Sequence, residues 1–233
     1  MGNPRYFYLS GPSHPWGDYY RVLADGYGAI IDGVCRVQRT GPFIPPVTFP
    51  HAMVVTDALR ADLEASALTG VTFVPVVKQK VVASDWHEWN LKAPNPREYP
   101  EEAEPSNYID RGEHSPAAAE ALGTLWAVDV LRVARVTRSE PVDHTHRHLH
   151  LNVESAQGLD FVRSPDVGFL FVSERAKAWL EARVGRWVAF EEANTAPPGP
   201  PSGAGADRPR VGWLVVGGAL VVLGVIAWVW RLR

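Results

Sequence analysis

An uncharged run of twenty residues near the end of the chain constrains its fold more than any other feature. Residues 211–230 read VGWLVVGGALVVLGVIAWVW and contain no Asp, Glu, Lys or Arg. A helix of that length spans about 30 Å, the thickness of the hydrocarbon core of a bilayer. The run therefore predicts a transmembrane helix, and a buried core helix is the alternative. Its expected interfacial anchors are the aromatic and cationic residues Trp213, Trp228, Trp230 and Arg231.

The segment before this run differs from the rest of the chain. Residues 194–210 are rich in Pro, Gly and Ala and have little to bury, so they predict a semi-extended linker. Residues 1–193 then form one domain. The N-terminus lacks the basic and apolar regions of a signal peptide, so we expect this domain to face the cytoplasm. Arginines are equally numerous on both sides of residues 211–230 and do not decide the orientation.

Composition excludes several classes of protein. The chain has 233 residues, of which 46% are hydrophobic and 21% charged, as in globular rather than disordered proteins. Its single cysteine, Cys35, cannot form an intrachain disulfide, which indicates a reducing compartment. Residues 1–193 carry 25 acidic and 19 basic residues, a net charge of −6. Since phosphate contacts need clustered Lys and Arg, we expect no nucleic-acid partner.

Strand-forming runs alternate with turn signals and few helices along the domain. Aromatic and β-branched residues predict strands at 5–9, 28–31, 53–55, 71–82, 125–136 and 168–172. Three segments predict helices, at 57–67, about 115–122 and 174–183. Residues 93–114, with four prolines and many acids, predict a loop. This order indicates an α+β fold, a single domain with a mixed or antiparallel sheet and a few helices.

The domain also contains an internal repeat with an offset of 117 residues. The sequence VTD at 55–57 aligns with VSE at 172–174, and similar apolar positions follow in both copies. Each copy reads strand, hydroxyl N-cap, amphipathic helix, glycine and strand. Chance similarity between two ordinary capped helices is the alternative. The expected cap and terminating glycine are Thr56 and Gly70 in the first copy and Ser173 and Gly185 in the second.

These segments resemble a known family. VVTDALRADLEASALTGVTFVPV and FLFVSERAKAWLEARVGRWVAF, with YFYL near the N-terminus and LWAVDVLRVARVTRSE between them, are similar to the myxobacterial-type immunity domains of bacterial polymorphic toxin systems. The resemblance covers most of residues 5–193. It implies an α+β, cytoplasmic protein that neutralises a cognate protein toxin by binding it. Together with residues 211–230, it implies a single-pass protein of the bacterial inner membrane, although the membrane segment departs from the usual soluble form.

Four alternating histidines suggest a different chemistry. His144, His146, His148 and His150 would project from one face of a strand, where imidazoles can bind zinc or nickel. Alternate residues of a strand lie about 6.6 to 7 Å apart, so at most two of them can chelate one ion without other partners. The alternative interpretation is the polar face of an exposed strand.

Possible partner-binding residues follow the predicted strand at 71–82. Trp86 and Trp89 lie among polar neighbours, as interface hot spots do, although both indoles could instead pack in the core. Residues 93–120 contain seven acids, which could attract a basic partner or only form a solvated loop. These acids are Glu98, Glu101, Glu102, Glu104, Asp110, Glu113 and Glu120.

No sequence motif indicates catalysis. The domain contains no GxSxG, no phosphate-binding glycine loop after a strand and no HExxH, and Cys35 lies in a strand-like run that predicts a small buried hydrophobe. We therefore expect neither enzymatic activity nor a cofactor. The leading hypothesis is a membrane tail-anchored immunity protein that binds and occludes a toxin. The first alternative is a membrane-tethered metal or ligand sensor that uses the histidine strand, residues 144–150. An enzyme with an unrecognised site and a membrane-anchored scaffold are the other two alternatives.

Overall fold

The computed structural model describes residues 4–11, 24–25, 28–84, 109–138, 149–165 and 168–195. This part of the chain has an α+β fold, as predicted. No helix within it is long and apolar enough to cross a bilayer. The predicted run at 211–230 lies outside the described residues, together with its expected anchors Trp213, Trp228, Trp230 and Arg231.

Three α-helices and thirteen strands have defined bounds in the described residues. The helices are α1 (Asp57–Ala65), α2 (Pro116–Ala121) and α3 (Glu174–Val184). The strands are β1 (Tyr6–Ser10), β2 (Ala24–Asp25), β3 (Ile30–Ile31), β4 (Val34–Gly41), β5 (Val47–Thr48), β6 (Met53–Thr56), β7 (Val71–Ala83), β8 (Leu125–Val130), β9 (Val136–Arg138), β10 (Leu149–Leu151), β11 (Phe161–Arg163), β12 (Leu170–Ser173) and β13 (Ala189–Glu192).

The strands form three sheets. The largest has the order β2-β4-β7-β8-β6-β5, with β3 paired to β4, and only the β4–β7 pair is parallel. A second sheet has the order β11-β12-β1-β13 and is antiparallel throughout. The third is the β9–β10 pair. The sheets are therefore mixed or antiparallel, as the sequence predicts.

The predicted repeat corresponds to two units with the same topology. In the first, β6 leads into α1 and then β7, and the antiparallel strand between β6 and β7 is β8. In the second, β12 leads into α3 and then β13, and the antiparallel strand between them is β1. Each unit is a split β-α-β motif whose central strand comes from elsewhere in the chain. We call these units the first and second copies.

Both helices of the repeat begin as the sequence predicts. The hydroxyl of Thr56 accepts a hydrogen bond from the amide of Leu59 at 3.4 Å, and that of Ser173 accepts one from the amide of Ala176 at 3.2 Å. An acidic residue, Asp57 or Glu174, follows each cap and complements the helix dipole. The local sequence is therefore sufficient to fix where α1 and α3 start.

One apolar cluster joins the two copies. Residues four apart on each helix form its buried stripe, which packs on the inner face of the adjacent sheet. Because both copies contribute to this cluster, neither buries its apolar face alone. Its buried members include Met53, Val55, Leu59, Leu63 and Val128 from the first copy, and Phe7, Leu9, Val172, Ala176 and Leu180 from the second.

Of the two glycines predicted to end the helices of the repeat, only Gly185 does so. Gly185 is the C-cap of α3, with φ of 35°. Helix α1 instead ends at Ala65 with Ser66 as its C-cap, so the prediction that Gly70 ends it is wrong. Gly70 has φ of 93° and lies against β11, where an added Cβ would be 2.1 Å from the carbonyl oxygen of Phe161. Its lack of a side chain permits this close approach between backbones.

Two other predicted segments need correction. The single strand expected at 125–136 is divided into β8 and β9, because Leu131 and Ala134 make backbone hydrogen bonds to Gly70 and Arg163 rather than continuing the sheet. Residues 109–111 are helical although the sequence predicts a loop over 93–114. Ile109 is fully buried there, and this burial stabilises a turn of helix that the prolines before it do not suggest.

Candidate partner-binding site

The candidate site lies along the second half of β7. Residues 71–75 of this strand pair with β8, whereas 76–83 pair with β4 on the opposite edge. Beyond residue 75, the edge of β7 that faces β8 is no longer paired with that strand. The segment that leads into α2 forms hydrogen bonds with this edge instead. The amide of Val81 donates to Nδ1 of His114 at 3.0 Å, and its carbonyl accepts from the amide of Ser115 at 2.7 Å.

Two lysines of β7 fix the same segment. The ammonium group of Lys80 donates to the carbonyl of Asp110 at 2.8 Å. That of Lys78 donates to the carbonyls of Ala119 and, at 2.8 Å, Gly123, at the C-terminal end of α2. Because cations stabilise the carbonyl end of a helix, these contacts hold residues 109–123 firmly against the sheet.

The acidic side chains of this segment point to solvent. Asp110, Glu113 and Glu120 are exposed, and their carboxylates form no ion pair or hydrogen bond with another described residue. We call these three residues the acidic edge. The backbone beneath them is fixed, so the acidic edge offers three carboxylates at defined positions to a partner, beside the cations Lys78, Lys80 and Arg111.

Five of the predicted contact residues fall between the described parts of the chain. Trp86, Trp89, Glu101, Glu102 and Glu104 all lie outside the described residues, between Ser84 and Ile109. Both of these flanking residues are fixed near the end of β7, Ser84 by a 2.8 Å hydrogen bond from its amide to the carbonyl of Gly41. The chain therefore leaves and returns beside the acidic edge.

Only one of the four predicted metal-binding histidines is described. His150 lies at the centre of β10, half-buried, on the face opposite the buried Leu149 and Leu151. No group of three or more His, Cys, Asp or Glu residues within the described ranges could hold a metal ion. His144, His146 and His148 lie outside those ranges.

Cys35 has the buried environment that the sequence predicts. It lies in β4 with no exposed surface, and its thiol is 3.6 Å from the carbonyl oxygen of Gly28. Burial raises the pKa of this thiol to about 11, so it is protonated at neutral pH. The side chain therefore packs as a small hydrophobe in the cluster that includes Val37 and Val54.

Sequence reasoning missed two buried charged residues. Asp160 is 3% exposed and Arg39 is 1% exposed. Burial lowers the pKa of Arg39 to about 9, and its guanidinium donates to the carbonyls of Thr40 at 3.0 Å and Phe43 at 3.4 Å. Arg39 occupies an alternating position of a strand, and only the surrounding sheet shows that this position is internal.

No protein-family model matches this sequence, and no curated protein matches it either. The interpretation of the site therefore depends on its geometry, its charge and the residues quoted above.

Proposed function

We propose that this chain is a membrane tail-anchored immunity protein that binds a cognate bacterial toxin and covers its active surface without catalysis. The observation that carries the proposal is the acidic edge, three exposed carboxylates that pair with no other described residue and lie on a backbone fixed to β7. The resemblance of the two capped helices and their strands to immunity domains supports the same function.

Charge selects the class of partner. Residues 1–193 have a net charge of −6, and three of their exposed carboxylates lie on the acidic edge. Complementary charge raises the rate of encounter with a basic protein and disfavours acidic ones. Nucleic-acid-cleaving toxins are basic because they bind phosphates, so a toxin of this class fits the surface.

The linker sets where the partner can be captured. If residues 211–230 span the membrane, the 17 residues from 194 to 210 separate the domain from the bilayer. Such a linker spans about 25 Å as a flexible coil and about 50 Å when extended as polyproline II. The domain would therefore intercept a toxin within a few nanometres of the cytoplasmic face.

The test of partner binding uses charge reversal on the full chain. The partner in this test is the toxin domain that the immunity hypothesis predicts at the end of the gene directly upstream. The variant D110K/E113K/E120K should raise the dissociation constant by about 10- to 100-fold, mainly through slower association, and should reduce its dependence on salt. Surface plasmon resonance at two salt concentrations measures both effects.

A matched variant separates the acidic edge from net charge. D62K/E154K/E181K changes the net charge by the same amount at three exposed carboxylates elsewhere in the domain, of which Asp62 and Glu181 pair with Arg183 and Lys177. It should change the affinity less than threefold. Equal losses in the two variants would show that only the total charge matters, and a chain that never binds the adjacent toxin would contradict the immunity function itself.

Membrane anchoring has a separate test. Deletion of residues 208–233 should move the chain from the membrane fraction to the soluble fraction while binding of the toxin persists. Fractionation followed by immunoblotting measures the first effect. A deletion variant that stays in the membrane fraction would contradict the anchor, and one that no longer binds the toxin would place the anchor within the interface.

A further inference from the structure

Two adjoining cavities lie where the ends of β8 and β11 meet. The smaller has a volume of about 160 Å³ and is lined by polar side chains that include His51, Arg132, Arg163 and Ser164. The larger has a volume of about 400 Å³ and is lined by Gly70, Val71, Thr72 and Leu131. Both are also lined by Ile30, Asp129, Val130 and Arg132, so they form one cleft. The cleft shares no residue with the acidic edge.

Backbone hydrogen bonds place two arginines in the same wall of the cleft. The amide of Arg163 donates to the carbonyl of Leu131 at 3.0 Å, and the amide of Ala134 donates to the carbonyl of Arg163 at 3.1 Å. On one segment the two bonds are made by Leu131 and Ala134, which lie on either side of Arg132 in the sequence. On the other segment both bonds are made by Arg163. The proximity of the two cations is therefore built into the fold rather than produced by flexible side chains.

The guanidinium of Arg163 has no hydrogen-bond or ion-pair partner among the residues that the structure describes. Its Nε is buried and makes no hydrogen bond, and neither Arg163 nor Arg132 forms an ion pair with any residue that the structure describes. Burial and the neighbouring charge of Arg132 lower the pKa of Arg163, and the carboxylate of Asp129 acts in the opposite direction. A buried donor without an acceptor destabilises the fold, so an anionic group bound beside Arg163 would stabilise it.

The size and lining of the two cavities define what can fill them. A cavity of about 160 Å³ is smaller than the sites that enclose whole drug-sized ligands, so it suits one functional group. Guanidinium groups bind carboxylate and phosphate oxygens in a planar, paired geometry. The larger cavity adds apolar surface from Val71 and from Leu131, which is 54% exposed.

We propose that this cleft binds a small organic oxyanion, whose phosphate or carboxylate head lies against Arg163 and Arg132 and whose apolar body lies along Val71 and Leu131. Arg163, which lines the smaller cavity, donates to the head from its guanidinium group. Arg132 supplies a second positive charge at the mouth, and Asp129 limits the net positive charge so that a single anionic group is favoured. The inference is independent of toxin binding.

Isothermal titration calorimetry of the full chain tests the site with three probes. Phenyl phosphate carries both parts of the proposed ligand, inorganic phosphate carries the head alone, and phenol carries the body alone. Phenyl phosphate should bind at least tenfold more tightly than inorganic phosphate, and phenol should give no heat above the buffer or detergent blank. Benzoate replaces phenyl phosphate in a parallel series and determines whether the head is phosphate or carboxylate.

Two variants identify the residues. R163M keeps an unbranched side chain that ends near the position of Nε and removes the guanidinium charge, and it should weaken binding of the preferred probe at least 30-fold. D129N should tighten binding several-fold, because it removes a negative charge from the wall. R135M is the matched control, since Arg135 is an exposed arginine of the same segment that lines neither cavity. It should change the affinity less than threefold.

Folding has its own readout. The thermal unfolding temperature of R163M should equal or exceed that of the parent chain, because the substitution removes a buried donor that has no acceptor. A lower temperature would show that Arg163 stabilises the fold and would contradict the proposal. It would also be overturned if neither phenyl phosphate nor benzoate binds at millimolar concentration, or if R135M and R163M weaken binding equally.

Discussion

The carboxylate of Asp160 holds Thr69 through both its backbone and its side chain. Oδ2 of Asp160 is 2.9 Å from the amide nitrogen of Thr69 and 3.0 Å from its hydroxyl, and that hydroxyl accepts a bond from the Asp160 amide at 3.2 Å. Oδ1 accepts from the hydroxyl of Ser173 at 2.7 Å, which itself caps α3. Since Thr69 precedes β7 in the first copy and Ser173 belongs to the second, Asp160 links the two copies. Arg175 completes the set of donors.

The first prediction concerns the loss of this carboxylate. Asp160→Asn replaces one acceptor oxygen by an NH2 group that can only donate. Because Thr69, Ser173 and Arg175 are donors, this NH2 group lies against another donor and at least one hydrogen bond is lost. We expect the free energy of unfolding to fall by about 2–4 kcal/mol. Chemical denaturation of the full chain, followed by circular dichroism, measures it.

An exposed carboxylate provides the control for this substitution. Glu192 pairs with Arg5, and both side chains are more than half exposed. Glu192→Gln should leave the denaturation midpoint unchanged, because exposed ion pairs contribute little. Similar losses in the two variants would mean that Asp160 has no special role in joining the copies.

The second prediction follows from the pKa of Asp160. Burial alone would raise it, but hydrogen bonds from Arg175, Ser173 and Thr69 outweigh burial and lower the pKa from 3.8 to about 2. Below pH 4 the unfolded chain takes up a proton at this position that the folded chain does not. The stability from Asp160 is therefore complete above about pH 4 and is lost as the pH falls to 2, by about 2 kcal/mol in all.

The measured quantity is the difference in denaturation midpoint between the parent chain and Asp160→Asn. Denaturation midpoints of the parent chain and of Asp160→Asn, taken from pH 6 to pH 2, cancel the titration of the other carboxylates. The gap between the two chains should be constant above pH 4 and narrow below it. A gap that stays constant down to pH 2 would contradict the lowered pKa.

The third prediction separates steric from conformational demands on glycine. Gly70 and Gly123 both have positive φ, 93° and 67°, but an added Cβ would meet Phe161 at the first position and nothing within 4 Å at the second. Gly123→Ala should therefore cost about 1–2 kcal/mol, from backbone strain alone. Gly70→Ala should cost more than 3 kcal/mol or prevent folding, because strain and a backbone clash add. Equal losses would show that β11 can move away from Gly70.

The secondary structure of the repeat could be predicted because its signals are local. A hydroxyl residue, an acid and apolar residues four apart lie within one stretch of chain, so Thr56 and Ser173 are recognisable as caps without any tertiary information. The central strands of the two copies, β8 and β1, lie far from the helices in sequence. Their pairing depends on contacts that periodicity does not encode.

The candidate sites show the same division. The acids Asp110, Glu113 and Glu120 are visible in the sequence as part of a charged stretch, whereas their fixation by Lys78 and Lys80 is a tertiary result. The cleft at Arg163 could not be predicted, because the backbone bonds that create it join segments about thirty residues apart.

The fourth prediction concerns the reactivity of Cys35. Its thiol is fully buried and its pKa is raised to about 11, so at pH 7.5 only about one molecule in 3,000 carries the nucleophilic thiolate. Iodoacetamide should therefore leave the folded chain unmodified over an hour, and it should modify one site completely in 6 M guanidinium chloride, as intact-mass spectrometry would show. The denatured chain serves as the control, because it contains the same single thiol without its surroundings. Rapid modification of the folded chain would mean that β4 opens readily or that Cys35 is accessible, and either result would contradict its place in the core.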